Sequence, residues 1–182
     1  MSEIISVSGG PTKPEIIAVS LSKLGLRDGD RFADIGCGTG SVSIEAAKIA
    51  RNLTIYAIDT RMEALRATEK NFKNFNIANA TLLAGEASEI LGSGDFIQYI
   101  DCAFVGGTKN IGPVLETLVK KRARSIVVNA VRIETVVKTM EVMKKLGIFV
   151  EIVHVSVSRG VPIAGETMFK PENPVYIIVG RT

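Results

Sequence analysis

The sequence predicts an α/β fold with a seven-stranded, mostly parallel sheet, helices on both faces and a C-terminal antiparallel hairpin. Three observations carry this. Short apolar runs alternate with segments of helical periodicity along most of the chain, the pattern of parallel strands joined by crossover helices. The stretch Arg31-Phe32-Ala33-Asp34-Ile35-Gly36-Cys37-Gly38-Thr39-Gly40 reads as an apolar strand entering a turn crowded with glycine and then a helix. A second apolar run, Leu53-Thr54-Ile55-Tyr56-Ala57-Ile58, ends in Asp59 at the same predicted edge.

In chain order, Ser8-Gly9-Gly10-Pro11 reads as loop, and Thr12-Lys13-Pro14-Glu15 fits a capping box that opens a helix. Ile17, Leu21 and Leu24 share one face of that helix, and Gly25 ends it. The first strand spans about 31–37, and its helix about 41–51, with Val42, Ala46 and Ile49 inward. The second strand, about 53–58, is followed by another capping box, Thr60-Arg61-Met62-Glu63, and a helix carrying Ala64, Leu65, Thr68 and Phe72. Strand three is 80–84, ending in Gly85-Glu86-Ala87. Strand four, 99–105, runs into Gly106-Gly107-Thr108 and a helix over about 111–121; strand five is 125–131. A helix over about 134–146 closes with Lys144, Lys145 and Gly147, the usual order at a C-terminus. Strand six (about 149–158) and strand seven (175–179) have no helix between them and should pair antiparallel, whereas residues 159–173 read as a long loop, functional or disordered.

With 182 residues, 46% of them hydrophobic, the chain supports one domain with a sizeable core, spanning 1–182. Lysine and arginine exceed aspartate and glutamate by only three (22 against 19), which permits an anionic substrate without demanding one. The densest basic cluster, Lys120-Lys121-Arg122-Ala123-Arg124, falls where a helix should end, and the helix dipole favours cations there. Cys37 and Cys102 lie in or beside apolar strands without metal-ligand spacing, so they read as reduced thiols of a cytoplasmic protein. No secretory leader or membrane-spanning run is predicted, and no metal site.

The glycines at 36, 38 and 40 permit positive φ and leave room for a ligand against the backbone, with helix-start N–H groups pointing at it. A carboxylate at Asp59 suits a ribose diol, because its oxygens can accept from both hydroxyls. A G-x-G-x-G turn alone is also consistent with plain strand–helix packing, and Asp59 with a helix-cap neighbour. The combination points to a nucleoside cofactor. A dinucleotide dehydrogenase prefers a glycine at the place of Ser41 and needs a second domain. The only histidine, His154, sits in an alternating strand, which suits a packing or surface role.

This constellation resembles the Rossmann-like class I S-adenosylmethionine-dependent methyltransferases over nearly the whole chain. The resemblance implies that Gly36, Cys37, Gly38, Thr39 and Gly40 lie beside the amino-acid part of S-adenosyl-L-methionine, that Asp59 holds the ribose and that Glu86 and Ala87 flank the adenine. Glu86 can equally be read as a solvated loop carboxylate. Amine-methylating members carry an Asn or Asp, two prolines and an aromatic after strand four; here the place reads Val105-Gly106-Gly107-Thr108, so a carbon or other acceptor is expected.

Shorter blocks, Gly9-Gly10-Pro11-Thr12, Phe104-Val105-Gly106-Gly107, Glu134-Thr135, Ser158-Arg159-Gly160, Gly165 to Met168 and Asn173-Pro174-Val175, resemble the decarboxylating cobalt-precorrin C15-methyltransferases of cobalamin biosynthesis, in stand-alone form. That resemblance implies methylation of C15 and loss of carbon dioxide from the C12 acetate of cobalt-precorrin-6B, a cofactor contact at Thr12, and a homo-oligomer, a tetramer being one candidate. The macrocycle itself can carry much of the electronics, so no catalytic residue is assigned. Asn129, Arg132 and Arg159, by type and edge position, are expected to face the anionic tetrapyrrole, because guanidinium groups fork onto carboxylates. The alternatives are an RNA methyltransferase or another small-molecule methyltransferase, and a binding module without turnover. The primary expectation includes no nucleic acid and no membrane.

Overall fold

A computed structural model of the chain describes residues 4–6, 10–93, 96–107 and 109–182. Nine strands and six helices follow in the order α1 (Pro14–Leu24), β1 (Arg31–Ile35), α2 (Ser41–Ile49), β2 (Thr54–Asp59), α3 (Met62–Asn74), β3 (Ala80–Ala84), α4 (Ala87–Gly92), β4 (Cys102–Val105), α5 (Ile111–Lys120), β5 (Ser125–Ala130), α6 (Ile133–Lys145), β6 (Phe149–Val155), β7 (Ser158–Ile163), β8 (Glu166–Pro171) and β9 (Val175–Arg181). Seven strands form one sheet in the order β3-β2-β1-β4-β5-β9-β6. The first five are mutually parallel, and β9 runs antiparallel between β5 and β6. The expected architecture is therefore present, with the final strand threaded inside the sheet edge.

The central strands are buried on both faces because helices cover both, as the burial of Phe32 to Ile35 and Cys102 to Val105 shows, and apart from Asp34 these residues are apolar. Successive residues feed opposite cores. Ala33 and Ile35 pack with Leu91 of α4, Leu115 of α5 and Val136 of α6. Phe32 packs with Leu21 of α1, Ile44 of α2 and Phe72 of α3. Gly25 closes α1 in the left-handed conformation (φ 64°), its N–H on the Leu21 carbonyl, and Gly147 (φ 71°) follows α6.

Several expectations need correction. Neither capping box forms: α1 is capped by Lys13 with Pro14 in its first turn, and α3 by Arg61, both without a side-chain cap hydrogen bond. Ile49, expected inward, is exposed, since α2 turns its last residue outward. The short helix α4 was not anticipated. Residues 159–173 are largely ordered as a hairpin arm, β7 paired with β8 from Ser158↔Pro171 to Ile163↔Glu166. Ala164 and Gly165 both take positive φ (47° and 86°), the requirement of the tight turn that suits a right-twisted hairpin. Ser8, Gly9 and Thr108, part of the loop readings, lie outside the described residues.

Candidate active site

All the predicted cofactor elements converge where the parallel strands end. The carbonyl of Ile58 accepts from the N–H groups of Gly36 (2.8 Å) and Cys37 (3.1 Å), and that of Ile35 from Gly106 (2.7 Å) and Gly107 (3.2 Å). The chain thus crosses from β1 to α2 pressed on the turn after β4. A Cβ at Gly36 would stand 2.5 Å from the Gly107 nitrogen, so glycine is required there for close approach as well as for its φ of 73°.

Side chains of α3 fix the loop from below. Thr68 donates its hydroxyl to the Gly38 carbonyl at 2.9 Å, and Asn71, fully buried, donates to the Thr39 carbonyl at 2.8 Å. Sequence reading placed Thr68 only on the inward face of a helix and did not single out Asn71. The available signal was a pair of polar residues three apart on that face.

Asp59 ends β2 with its side chain only 4% exposed. It accepts from Gly38 N–H (3.0 Å), Arg61 N–H (3.0 Å) and the Arg61 guanidinium at Nε and Nη2 (3.2 Å each). Burial works to raise its carboxyl, but these donors outweigh it and hold the pKa below the ordinary value. Glu86 caps α4, accepting from Ser88 Oγ and, at 3.1 Å, from the Glu89 N–H. The cap and a place on the cavity wall are compatible, for Gly85, Glu86 and Ala87 line the same lobe as Asp59.

The crevice has connected walls. One lobe of about 280 Å³ runs from Glu86 and Asp59 to Gly36 and Gly107. A second, about 190 Å³, is lined by Thr12, Gly36 to Thr39, Arg61 and Phe104. A third, about 470 Å³, shares Gly10, Pro11, Thr12, Phe104 and Gly106 with the second and adds Lys13, Asn129, Arg132 and Asn173. A shallower hollow next to it gathers Lys109, Arg132 and Lys138 with Glu134 and Thr135. Lys109 and Lys138 escaped sequence reading, because only the fold brings their separate elements together.

Asn129 exchanges hydrogen bonds with Ser20 at 3.0–3.1 Å, which fixes its amide at the third lobe. Arg159 stands elsewhere than expected. Its guanidinium forks onto Glu15 (2.5 and 2.8 Å) and reaches Glu172 (3.3 Å), which also pairs with Lys13 (3.1 Å); it is not among the described residues lining the third lobe. The basic cluster ends α5 at the opposite end of the sheet from the crevice. There Arg124 forks onto Asp30 (2.7 and 2.9 Å), Lys121 donates to the Ile97 carbonyl and Arg122 lies over Tyr99. Both thiols are buried, which pushes the Cys37 thiol up and that of Cys102 to about 12, and His154 stacks on Tyr176 at 4.7 Å.

Fold and crevice together define a Rossmann-like methyltransferase. Comparison with known proteins narrows this: the model of the precorrin methyltransferase domain family matches residues 4–181, and the chain belongs to that family. It is 81% identical over 181 residues to a Methanosarcina acetivorans protein named probable cobalt-precorrin-6B C(15)-methyltransferase (decarboxylating), covering all of this chain and 98% of that one. A Methanococcus maripaludis protein of the same name is 40% identical, over 97% of this chain and 95% of its own length. Among solved structures, a Geobacter metallireducens precorrin-6y C5,15-methyltransferase superposes with a TM-score of 0.89 at 33% identity, covering 98% and 95% of the two chains. A precorrin 8w decarboxylase from Methanobacterium thermoautotrophicum gives 0.89 at 32%, covering 98% and 97%. The chain is an enzyme of the methyltransferase class.

Proposed function

We propose that the enzyme transfers a methyl group from S-adenosyl-L-methionine to C15 of cobalt-precorrin-6B and releases carbon dioxide from the C12 acetate. The names of the full-length relatives support this substrate. The observation that carries it in this chain is the charge of the third lobe. Arg132 lines it together with Lys13, whose ammonium is shared with Glu172 (3.1 Å) and the Asn173 carbonyl (2.8 Å), and no carboxylate lines it among its described residues. Such a wall favours an acceptor rich in acetates and propionates.

The residues fit the cofactor. Gly36 to Thr39 line the lobe that would take its amino-acid part, whereas Gly40, where a Cβ would stand 2.7 Å from the Phe72 ring, serves the packing of the turn on α3 rather than the lobe. Asp59 would hold the ribose, Glu86 and Ala87 would flank the adenine, and Thr12 stands where second and third lobes meet. The cofactor supplies an electrophilic methyl group. The chain contributes placement: Phe104 and Gly106 form a common wall between cofactor and acceptor lobes, so the reactants meet there with water displaced. Asn129 and Arg132 orient the tetrapyrrole by its polar rim, with Lys109 and Lys138 taking carboxylates beyond. Arg159 steadies the arm beside the lobe and meets substrate only at its edge.

The same reading takes the protein to be cytoplasmic and homo-oligomeric, without nucleic acid. No helix among the described residues is long and apolar enough to cross a membrane. Exposed Ile163, Met168 and Phe169 on the arm would be covered by a second copy, and a monomeric mass in light scattering overturns that. For the reaction, the enzyme is incubated with S-adenosylmethionine and the tetrapyrrole and the product is weighed. One methyl gained and one carbon dioxide lost is expected; an unchanged tetrapyrrole mass overturns the assignment.

A further inference from the structure

Asp59 faces an open lobe, but its acceptor sites are already taken. A carboxylate offers about four lone-pair sites, and four N–H groups already point at it: those of Gly38 and Arg61 in the backbone, and Nε and Nη2 of the Arg61 guanidinium. The two backbone donors are fixed by the turn. The guanidinium is the removable pair, on a long side chain that is 45% exposed.

Its alternative resting place is next door. Arg61 lines both the Asp59 lobe and the glycine-loop lobe, and in the latter it is the only charged residue among the described lining residues. Its Nη2 is 3.9 Å from where a Cβ on Gly38 would stand, so the group already borders that lobe. We infer that Arg61 is an exchange residue: it guards Asp59 until the cofactor arrives, then yields that carboxylate to the ribose and receives the cofactor's own amino-acid carboxylate. The inference rests on the cofactor reading above. It makes one side chain discriminate between nucleosides that carry an amino-acid tail and those that lack one.

Two nucleosides test it by calorimetric titration: S-adenosylhomocysteine, which has the tail, and 5′-methylthioadenosine, which does not. Arg61→Ala is expected to weaken the first about tenfold, the worth of one charge-assisted contact, and to leave the second unchanged or tighter, because the guard is gone. Arg61→Lys, which keeps the charge, is expected to recover part of the loss for S-adenosylhomocysteine alone. Equal weakening of both ligands by Arg61→Ala overturns the inference and makes Arg61 a mere orienter of Asp59; unchanged S-adenosylhomocysteine affinity also overturns it. A wild-type protein that binds neither nucleoside overturns the cofactor reading beneath it.

Discussion

Asp34, on β1 beneath the glycine loop, is fully buried with one oxygen accepting from Ser43 Oγ at 2.6 Å and the other without a partner among the described residues. Burial raises its carboxyl to about 6 against the opposing Ser43 hydrogen bonds. A raised acid favours the protonated folded state, so its contribution is whole below the unfolded value near 4 and is lost as pH climbs through about 6. At neutral pH the charged group costs the fold roughly 2–3 kcal/mol. Asp34→Asn removes the titration and leaves an acceptor for Ser43. Urea denaturation from about pH 4 to 8 is expected to show the variant gaining on wild type as pH rises to about 6 and level beyond it; a gap independent of pH sinks the assignment. The position was legible in the sequence only as part of a strand, since nothing in Arg31 to Ile35 says which face Asp34 takes.

At the scale of elements, the parallel strands and their helices could be read because their periodicities are long and repeated, whereas the arm β7–β8 could not. Pro162 argues against a strand, and Ala164 is not a residue that advertises positive φ. The arm's anchor is equally non-local: Arg159 joins Glu15 on α1, 144 positions away, and Glu172 beyond β8. Edge position alone therefore sent Arg159 to the substrate. The arm is otherwise exposed, so this ion pair should set how tightly it lies against the domain. Arg159→Ala is expected to speed tryptic cleavage at Lys170 while the thermal midpoint of the sheet stays where it was. Cleavage at the wild-type rate means that the strand pairing and the Lys13 contacts to Glu172 and Asn173 hold the arm without Arg159. Missing α4 has a simpler cause: six residues are too few for a helical period to declare itself.

For the molecule as a whole, charge is sorted by end. Lys13, Arg132, Lys109 and Lys138 surround the acceptor side of the crevice, while Arg122 and Arg124 lie at the far end, one over Tyr99 and one on Asp30. Net charge hides this, and the cluster most visible in the sequence is the one farthest from the chemistry. Replacing Lys13 and Arg132 together by alanine is expected to raise KM for the tetrapyrrole about tenfold or more, with S-adenosylhomocysteine affinity unchanged, whereas Arg122→Ala should alter neither. Steady-state kinetics and titration check both halves, and a KM insensitive to the double change removes the acceptor site from this lobe.

Because β9 lies between β5 and β6 and bonds to both, the strand of this sheet that comes latest in chain order is the keystone of that edge. During synthesis β6 emerges with no neighbour to join, and the gap persists until the residues up to Arg181 have left the ribosome. The half-sheet bearing the proposed nucleoside site precedes, in synthesis, the half that completes the proposed acceptor wall. On the proposed reading, a nascent chain stalled within β9 would have made every residue assigned to the nucleoside before the wall meant for the molecule to be methylated is closed.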